Sequence, residues 1–186
     1  MALFGLPATV TGFLTNQRTA ETLNGDSFTV LLRYASGLLV TLKAAVLSAD
    51  QEQLRFWVRG EKGSFKKFHM DMQEDQLLEQ SSYPGQPGFG VDPESHHGML
   101  SSFLGNGYPM TDTGPGKLTQ ITNNPVVKTF PTVDPPTYAG FYRQLAIALL
   151  GKGDIPVEPE VAASVIRLVE LIKESSTTGK TVEYSF

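Results

Sequence analysis

The chain has 186 residues, of which 40% are hydrophobic, a length and composition typical of one folded domain with a buried core. Its formal net charge of −4 argues against a basic surface for nucleic acid or an anionic membrane, and the absence of cysteine excludes disulfides, zinc–thiolate sites and thiol nucleophiles. Because the first residues, MALFGLP, lack the basic region of a secretory signal, we expect one cytoplasmic domain over residues 1–186.

The first third of the chain alternates apolar and polar residues with the period of β-strands. Residues 9–15 are the first predicted strand. Residues 28–34 and 38–47 form one predicted hairpin, and residues 53–59 and 64–69 form a second. Hairpins in series predict an antiparallel sheet that has one face on a core and leaves the other face free.

Large apolar side chains occur on both alternations of the first hairpin. Val40 and Leu42 fall on one face, whereas Leu39 and Leu47 fall on the other. Because helices would cover only one face, we expect the open face to form a homodimer contact. We expect neither nucleic acid nor a membrane as a partner.

The middle of the chain, residues 81–116, is rich in glycine and proline and shows no apolar period. It is predicted as a single long loop, and such loops in compact domains are usually functional. Its stretch from Tyr83 to Gly107 would form a lid over a ligand cavity backed by the sheet. Residues 117–122 and 126–130 are predicted as two short strands.

Apolar residues recur at spacings of three and four in the last third, which predicts two helices. The first follows Thr137, a candidate N-cap, and ends at Gly151, while the second begins near Pro159 and ends at Gly179. Residues 181–184 are predicted as a final strand. The fold class is therefore α+β: an open-faced, mainly antiparallel β-sheet with helices packed on one face.

A polar run follows the second hairpin and is open to two interpretations. It is either a solvated strand end with a short helix, or the polar mouth of a sheet-backed cavity. In the second interpretation His69 and Lys67 are the candidate catalytic acid–base groups, because imidazole titrates near neutral pH and a sheet positions a proton donor rigidly. Asp71, Gln73 and Glu74 are candidate substrate-binding residues of the same run.

The adjacent histidines His96 and His97 suggest a metal site, with Asp92 and Glu94 nearby. Adjacent side chains diverge in an extended chain, however, so one ion seldom takes both. We therefore expect no metal and place the two histidines at a pocket mouth as substrate contacts, with a solvated loop pair as the alternative.

Three further residues complete the candidate substrate contacts. Arg18 follows the first strand and is either a surface residue or an anion clamp. Tyr142 lies near the start of the first predicted helix, where the alternative is a core or rim position, and Tyr83 begins the predicted lid.

Four segments carry a family resemblance, in the order GLPATVTGFLTNQR, DSFTVLLRYASGLLVTLKAAVL, LRFWVRGEKGSFKKFHMDMQEDQL and PPTYAGFYRQLAIALLGKGDIPVEPEVAASVIRLVELIKESSTTGKTVEY. The third contains G-x-x-G-S-F followed by D-x-Q-E-D, from Gly60 to Asp75. Together they resemble the C-terminal half of Gfo/Idh/MocA-type oxidoreductases, which are NAD(P)-dependent sugar and polyol dehydrogenases. The resemblance runs from Leu6 to Tyr184 and implies an open antiparallel sheet that lines the substrate site and carries the dimer contact.

In that family a Rossmann domain with a catalytic lysine, and a helix carrying Asp-x-x-x-His, precede the matching half. This chain starts at Met1, just before that half, so we expect no cofactor and no competent dehydrogenase. The expected function is to bind a small organic molecule and catalyse a non-redox step of a biosynthetic pathway, such as cyclisation, isomerisation or dehydration. The alternatives are an inert fragment of an NAD(P)-dependent sugar or polyol dehydrogenase and a purely structural dimerisation module.

Overall fold

The computed structural model describes residues 3–18, 25–50, 52–102, 126–130 and 138–185. The chain, expected as one domain over 1–186, divides into two compact units, Met1–Ala49 with Ile155–Phe186 and Asp50–Asp154. The elements in chain order are β1 (Thr9–Thr15), β2 (Ser27–Arg33), β3 (Leu39–Ala45), β4 (Phe56–Gly60), β5 (Gly63–Lys67), α1 (Gln73–Leu78), β6 (Gly98–Ser102), β7 (Val126–Phe130), α2 (Tyr138–Leu149), α3 (Pro159–Thr178) and β8 (Val182–Glu183).

The predicted α+β class is confirmed. The described strands form two antiparallel sheets of four strands each, and the described residues also contain three α-helices. The first unit contains the order β3-β2-β1-β8 and the second contains β4-β5-β6-β7. No helix in the described ranges has the length and apolarity needed to cross a bilayer.

The first unit buries its core between its sheet and α3. Val10, Val30, Leu32 and Leu168 form the buried cluster, because alternate residues of β1 and β2 point towards the helix. Gly12 lets the helix approach: a Cβ at this position would lie 2.7 Å from the Ile172 carbonyl oxygen. This close approach positions α3 directly against β1.

The helix ends follow the predicted signals. Pro159 opens α3, where its missing N–H costs nothing, and Gly179 closes it with a φ of 66°. Gly151 follows the end of α2 with a φ of 67°. The candidate N-cap Thr137 lies outside the described residues, and the predicted final strand is observed over Val182–Glu183.

The second unit holds a strand within the segment predicted as a loop. Strand β6 lies between β5 and β7, so the interpretation of residues 81–116 as one loop is corrected at Gly98–Ser102. Gly98, Ser101 and Ser102 remove the apolar alternation, and sheet pairing on both sides stabilises the strand instead. The rest of the predicted loop after Ser102, and the predicted strand 117–122, lie outside the described residues.

Candidate active site

A groove of about 480 Å³ opens in the second unit. It lies where the chain leaves β5, next to the 3-10 turn Glu94–His96 and the strands β6 and β7. Two of the three histidines of the chain line it. Its lining residues are Phe68, His69, Glu94, Ser95, His97, Met99 and Thr129.

The third histidine, His96, stacks on His69. The ring centroids are 3.7 Å apart and the planes are inclined by 11°. Nδ1 of His96 is buried and has no hydrogen-bond partner among the described residues. The three histidines of the chain therefore gather at one place, and the ring of His69 joins the groove to the partly buried His96.

Burial lowers the pKa of the His96 imidazole below its ordinary value of 6.5, and the charges of His69 and Lys67 act in the same direction. The carboxylates of Asp92 and Asp75 oppose this shift. Because stacked imidazolium rings would repel each other, His96 favours its neutral form. The stacking therefore places a ring that favours its neutral form against the ring of His69.

Lys67 does not line the groove but anchors the segment that does. Its Nζ lies 2.6 Å from Oδ2 of Asp92, whose side chain is fully buried, and donates to the His96 carbonyl at 2.9 Å. A buried carboxylate requires such a cation, because an ion without a partner loses its hydration. Lys67 thus ties β5 to the residues 92–97.

Asp71 and Gln73 organise the start of α1. Oδ1 of Asp71 accepts hydrogen bonds from the Gln73 amide and from its Nε2, both at 3.0 Å. The Gln73 side-chain oxygen accepts the Tyr138 amide at 2.9 Å, which fixes the start of α2. Both side chains serve backbone groups in the structure, and neither lines the groove.

The remaining candidates do not line the groove either. Glu74 is exposed, and Tyr83 and Tyr142 are exposed with Tyr142 against the ring of Phe141. Arg18 belongs to the first unit, where its Nε lies 3.0 Å from Oδ2 of Asp26. Their roles in substrate binding stay predictions.

Arg18 has a partner in its own loop. The pKa of the Asp26 carboxyl is held below its ordinary value, mainly by a hydrogen bond from the Gln17 backbone amide. Hydrogen bonds from the side chain and the backbone amide of Arg18 act in the same direction. The hydrogen bonds of Asp26 with Gln17 and Arg18 connect the end of β1 to the start of β2, which is a structural role for Arg18.

Sequence reasoning missed the partner of Lys67 and several lining residues. Asp92 was noted only as a neighbour of the histidines, although it is 4% exposed. Ser95, Met99 and Thr129 have ordinary side chains, and only the sheet register brings Thr129 opposite Met99. No local pattern could have identified them.

Neither a metal nor a dinucleotide fits the described residues. No group of three or more His, Asp or Glu side chains gathers there as a ligand set for a metal ion. Dinucleotides bind where a strand runs through a glycine-rich turn into a helix. Within the described ranges no helix follows a strand through a glycine-rich turn, so these residues offer no dinucleotide site of that kind.

Comparison with known proteins identifies the class. The family model described as "Oxidoreductase family, C-terminal alpha/beta domain" matches residues 1–184, and the chain belongs to this Gfo/Idh/MocA C-terminal family. The sequence resemblance is thereby confirmed.

Individual relatives agree with this membership. The chain is 28% identical over 181 residues to scyllo-inositol 2-dehydrogenase (NADP(+)) IolW of Bacillus subtilis, covering 97% of this chain and 44% of that protein. It is 31% identical to the uncharacterized oxidoreductase C26H5.09c of Schizosaccharomyces pombe, covering 100% and 48%. The chain therefore spans about half the length of the curated relatives it matches.

A solved structure supports the fold. An oxidoreductase from Bacillus cereus superimposes with a TM-score of 0.73 at 24% identity, covering 100% of this chain and 48% of that one. At this identity the likeness concerns the fold alone.

Proposed function

We propose that this chain binds a small oxygenated organic molecule in the histidine-lined groove and catalyses a cofactor-free, non-redox proton transfer on it. Isomerisation, dehydration and cyclisation are the reactions of this kind, and a cytoplasmic biosynthetic pathway is their setting. The observation that carries the proposal is the gathering of all three histidines at one groove, with His69 and His97 lining it.

His69 is the proposed acid–base group. It faces the groove and rests on His96, a ring that favours its neutral form. Imidazole exchanges protons near neutral pH, and a positioned group of this kind contributes about a hundredfold or more to a rate. His97 and Glu94 line the same groove and supply further polar contacts to a hydroxylated molecule.

Lys67, first expected as a second acid–base group, is proposed as a positioning residue. Its ammonium group is held by Asp92 and by the His96 carbonyl. A lysine in this environment fixes the histidine-bearing segment, while the proton is moved by His69. His69 is thus the reacting side chain, and Lys67 supports the segment around it.

The test is hydrogen exchange into a keto-inositol, a cyclic polyol with one carbonyl group, in D₂O without cofactor. A groove with an acid–base group should accelerate exchange of the C–H beside the carbonyl, because that step needs only proton transfer. His69→Gln should reduce the enzymatic rate about a hundredfold. Leu78→Gln, a change at an exposed residue outside the groove lining, should keep it. Exchange no faster than in buffer contradicts the proposal.

A second candidate is the substrate-side domain of a two-domain dehydrogenase. The observation that favours it is the twofold greater length of the relatives, one of which is named as an NADP(+)-dependent scyllo-inositol dehydrogenase. In this case the same groove would bind the polyol, and oxidation would require groups beyond the described residues. Saturable binding of scyllo-inositol by the chain, without proton exchange of the keto-inositol, would favour this candidate.

We further propose that the chain forms a homodimer through the open face of the first unit's sheet. The opposite face packs on α3, whereas Phe13 and Leu39 are 56% and 59% exposed on the open one. Exposed apolar residues on a sheet face are typical of an interface. The dimerisation module remains the structural alternative to an enzyme.

A further inference from the structure

A tryptophan on the second unit's sheet carries two cations. Trp57 of β4 is 51% exposed, the guanidinium carbon of Arg59 lies 4.7 Å from its ring centroid, and Nζ of Lys66 lies 5.1 Å from it. Nε1 of Trp57 donates to Oγ of Ser64 at 3.0 Å. These residues, Trp57, Arg59, Ser64 and Lys66, form what we call the cationic cluster.

Within the described ranges, no carboxylate forms a salt bridge to Arg59 or Lys66. The chain as a whole is acidic, with a formal net charge of −4. Arg59 and Lys66 therefore form a local concentration of positive charge on an acidic chain. This charge would attract an external anion.

The sheet register connects the cationic cluster to the groove. Lys66 pairs with Trp57 on one side and with Met99 on the other, and Met99 pairs with Thr129. Directly paired residues share a face, and neighbouring strands lie about 4.8 Å apart. Since Met99 and Thr129 line the groove, Lys66 stands one strand away from its floor.

We infer that the groove's ligand carries a phosphate or carboxylate group, which Arg59 and Lys66 bind while its oxygenated part lies against His69 and His97. The inference rests on the groove being the binding site proposed above. Guanidinium and ammonium groups both donate charge-assisted hydrogen bonds to anionic oxygens. Glu94 lines the groove and repels an anion, which turns the anionic end towards β4 and β5.

A matched pair of probes tests this, namely myo-inositol 1-phosphate and myo-inositol. Titration calorimetry at low salt should show at least about tenfold tighter binding of the phosphate, and added salt should reduce the difference. Trp57 is the only tryptophan of the chain, so its fluorescence should change with the phosphate. Equal affinities for both probes would overturn the inference.

Variants locate the anion. The double variant Arg59→Gln/Lys66→Gln should lose the preference for the phosphate and keep its affinity for myo-inositol, whereas Lys62→Gln in the exposed β4–β5 turn should keep both. A preference that persists in the double variant would also overturn the inference. If both probes bind equally and the keto-inositol still exchanges its proton, only the anion site is refuted. If the phosphate binds selectively but no proton exchange occurs, only the proposed catalysis is refuted.

Discussion

Lys67 and Asp92 join two parts of the second unit that lie 25 residues apart in sequence, with 2.6 Å between Nζ and Oδ2. The same ammonium group holds the His96 carbonyl. Their pairing explains how a segment rich in glycine and proline presents histidines to a groove in a fixed position.

Removal of the Lys67 charge should destabilise the protein. Lys67→Met removes the Lys67 ammonium group from the buried Asp92 carboxylate, and a loss of about 3 kcal/mol in the free energy of unfolding is expected. Urea denaturation at neutral pH measures it. Lys67→Met/Asp92→Asn should recover much of the loss, and Lys62→Met at an exposed position should change little. A single variant as stable as the native chain would show that the ion pair does not hold the segment.

The stability of the second unit should fall as the pH is lowered through the titration range of histidine. The pKa of His96 is lowered from 6.5 in the folded chain, so the unfolded chain binds more protons below that value. The stabilisation that comes from keeping His96 neutral in the folded chain is fully present above pH 6.5. It is lost as the pH falls through the lowered pKa of His96. Denaturation between about pH 5 and pH 8 should show this slope.

Two variants test the source of that slope. His96→Gln removes the titrating ring and should flatten the curve, whereas Ser95→Ala next to it keeps all three histidines and should preserve it. An unchanged slope in His96→Gln would assign the pH dependence to other groups.

Gly12 should tolerate no side chain. In Gly12→Ala the added methyl group meets the Ile172 carbonyl oxygen at 2.7 Å, and both belong to backbone that packs α3 on β1. A loss of about 1 to 3 kcal/mol is expected by thermal or urea unfolding. Gly140→Ala in α2 meets no atom of the described residues within 4 Å and should gain about 0.5 to 1 kcal/mol, because alanine favours a helix. A neutral Gly12→Ala would mean that α3 can move away from β1.

The open sheet face should control the oligomeric state. Light scattering at micromolar concentration should give twice the chain mass of 20.3 kDa. Leu39→Lys places a charge within the proposed interface and should weaken the dimer about tenfold or more, because a buried unpaired charge is costly. Leu78→Lys, at an exposed residue of α1, should leave the mass unchanged. A measured mass of 20.3 kDa for the native chain, which is that of the monomer, would contradict the proposed dimer.

Strands and helices with strong local signals were predictable from the sequence. Residues 9–15, which combine threonines with apolar residues, form β1 as predicted, and Pro159 and Gly179 mark both ends of α3. Strand β6 was not predictable, since Gly98 and two serines in five residues carry no apolar period. Its place is decided by pairing with β5 and β7, which is information held by distant residues.

The candidate active site was predictable only in part. His69 and His97 could be named because the chain has three histidines and imidazole is a frequent acid–base group. Both line the groove, whereas Asp71 and Gln73 turn to backbone amides of the helix starts. The sequence places Lys67 near His69 but contains no signal that Asp92 binds it, because such a pair is formed only by the tertiary fold.

Whether the groove binds a small oxygenated molecule is tested directly by the histidine side-chain ¹H–¹⁵N spectrum of the chain during titration with the keto-inositol. The chain has three histidines, so three single variants assign every signal. We predict saturable shifts of the His69 and His97 resonances, because both line the groove. Resonances that remain unchanged at millimolar probe would contradict the assignment of this groove as the site where a small oxygenated molecule is bound and its proton moved.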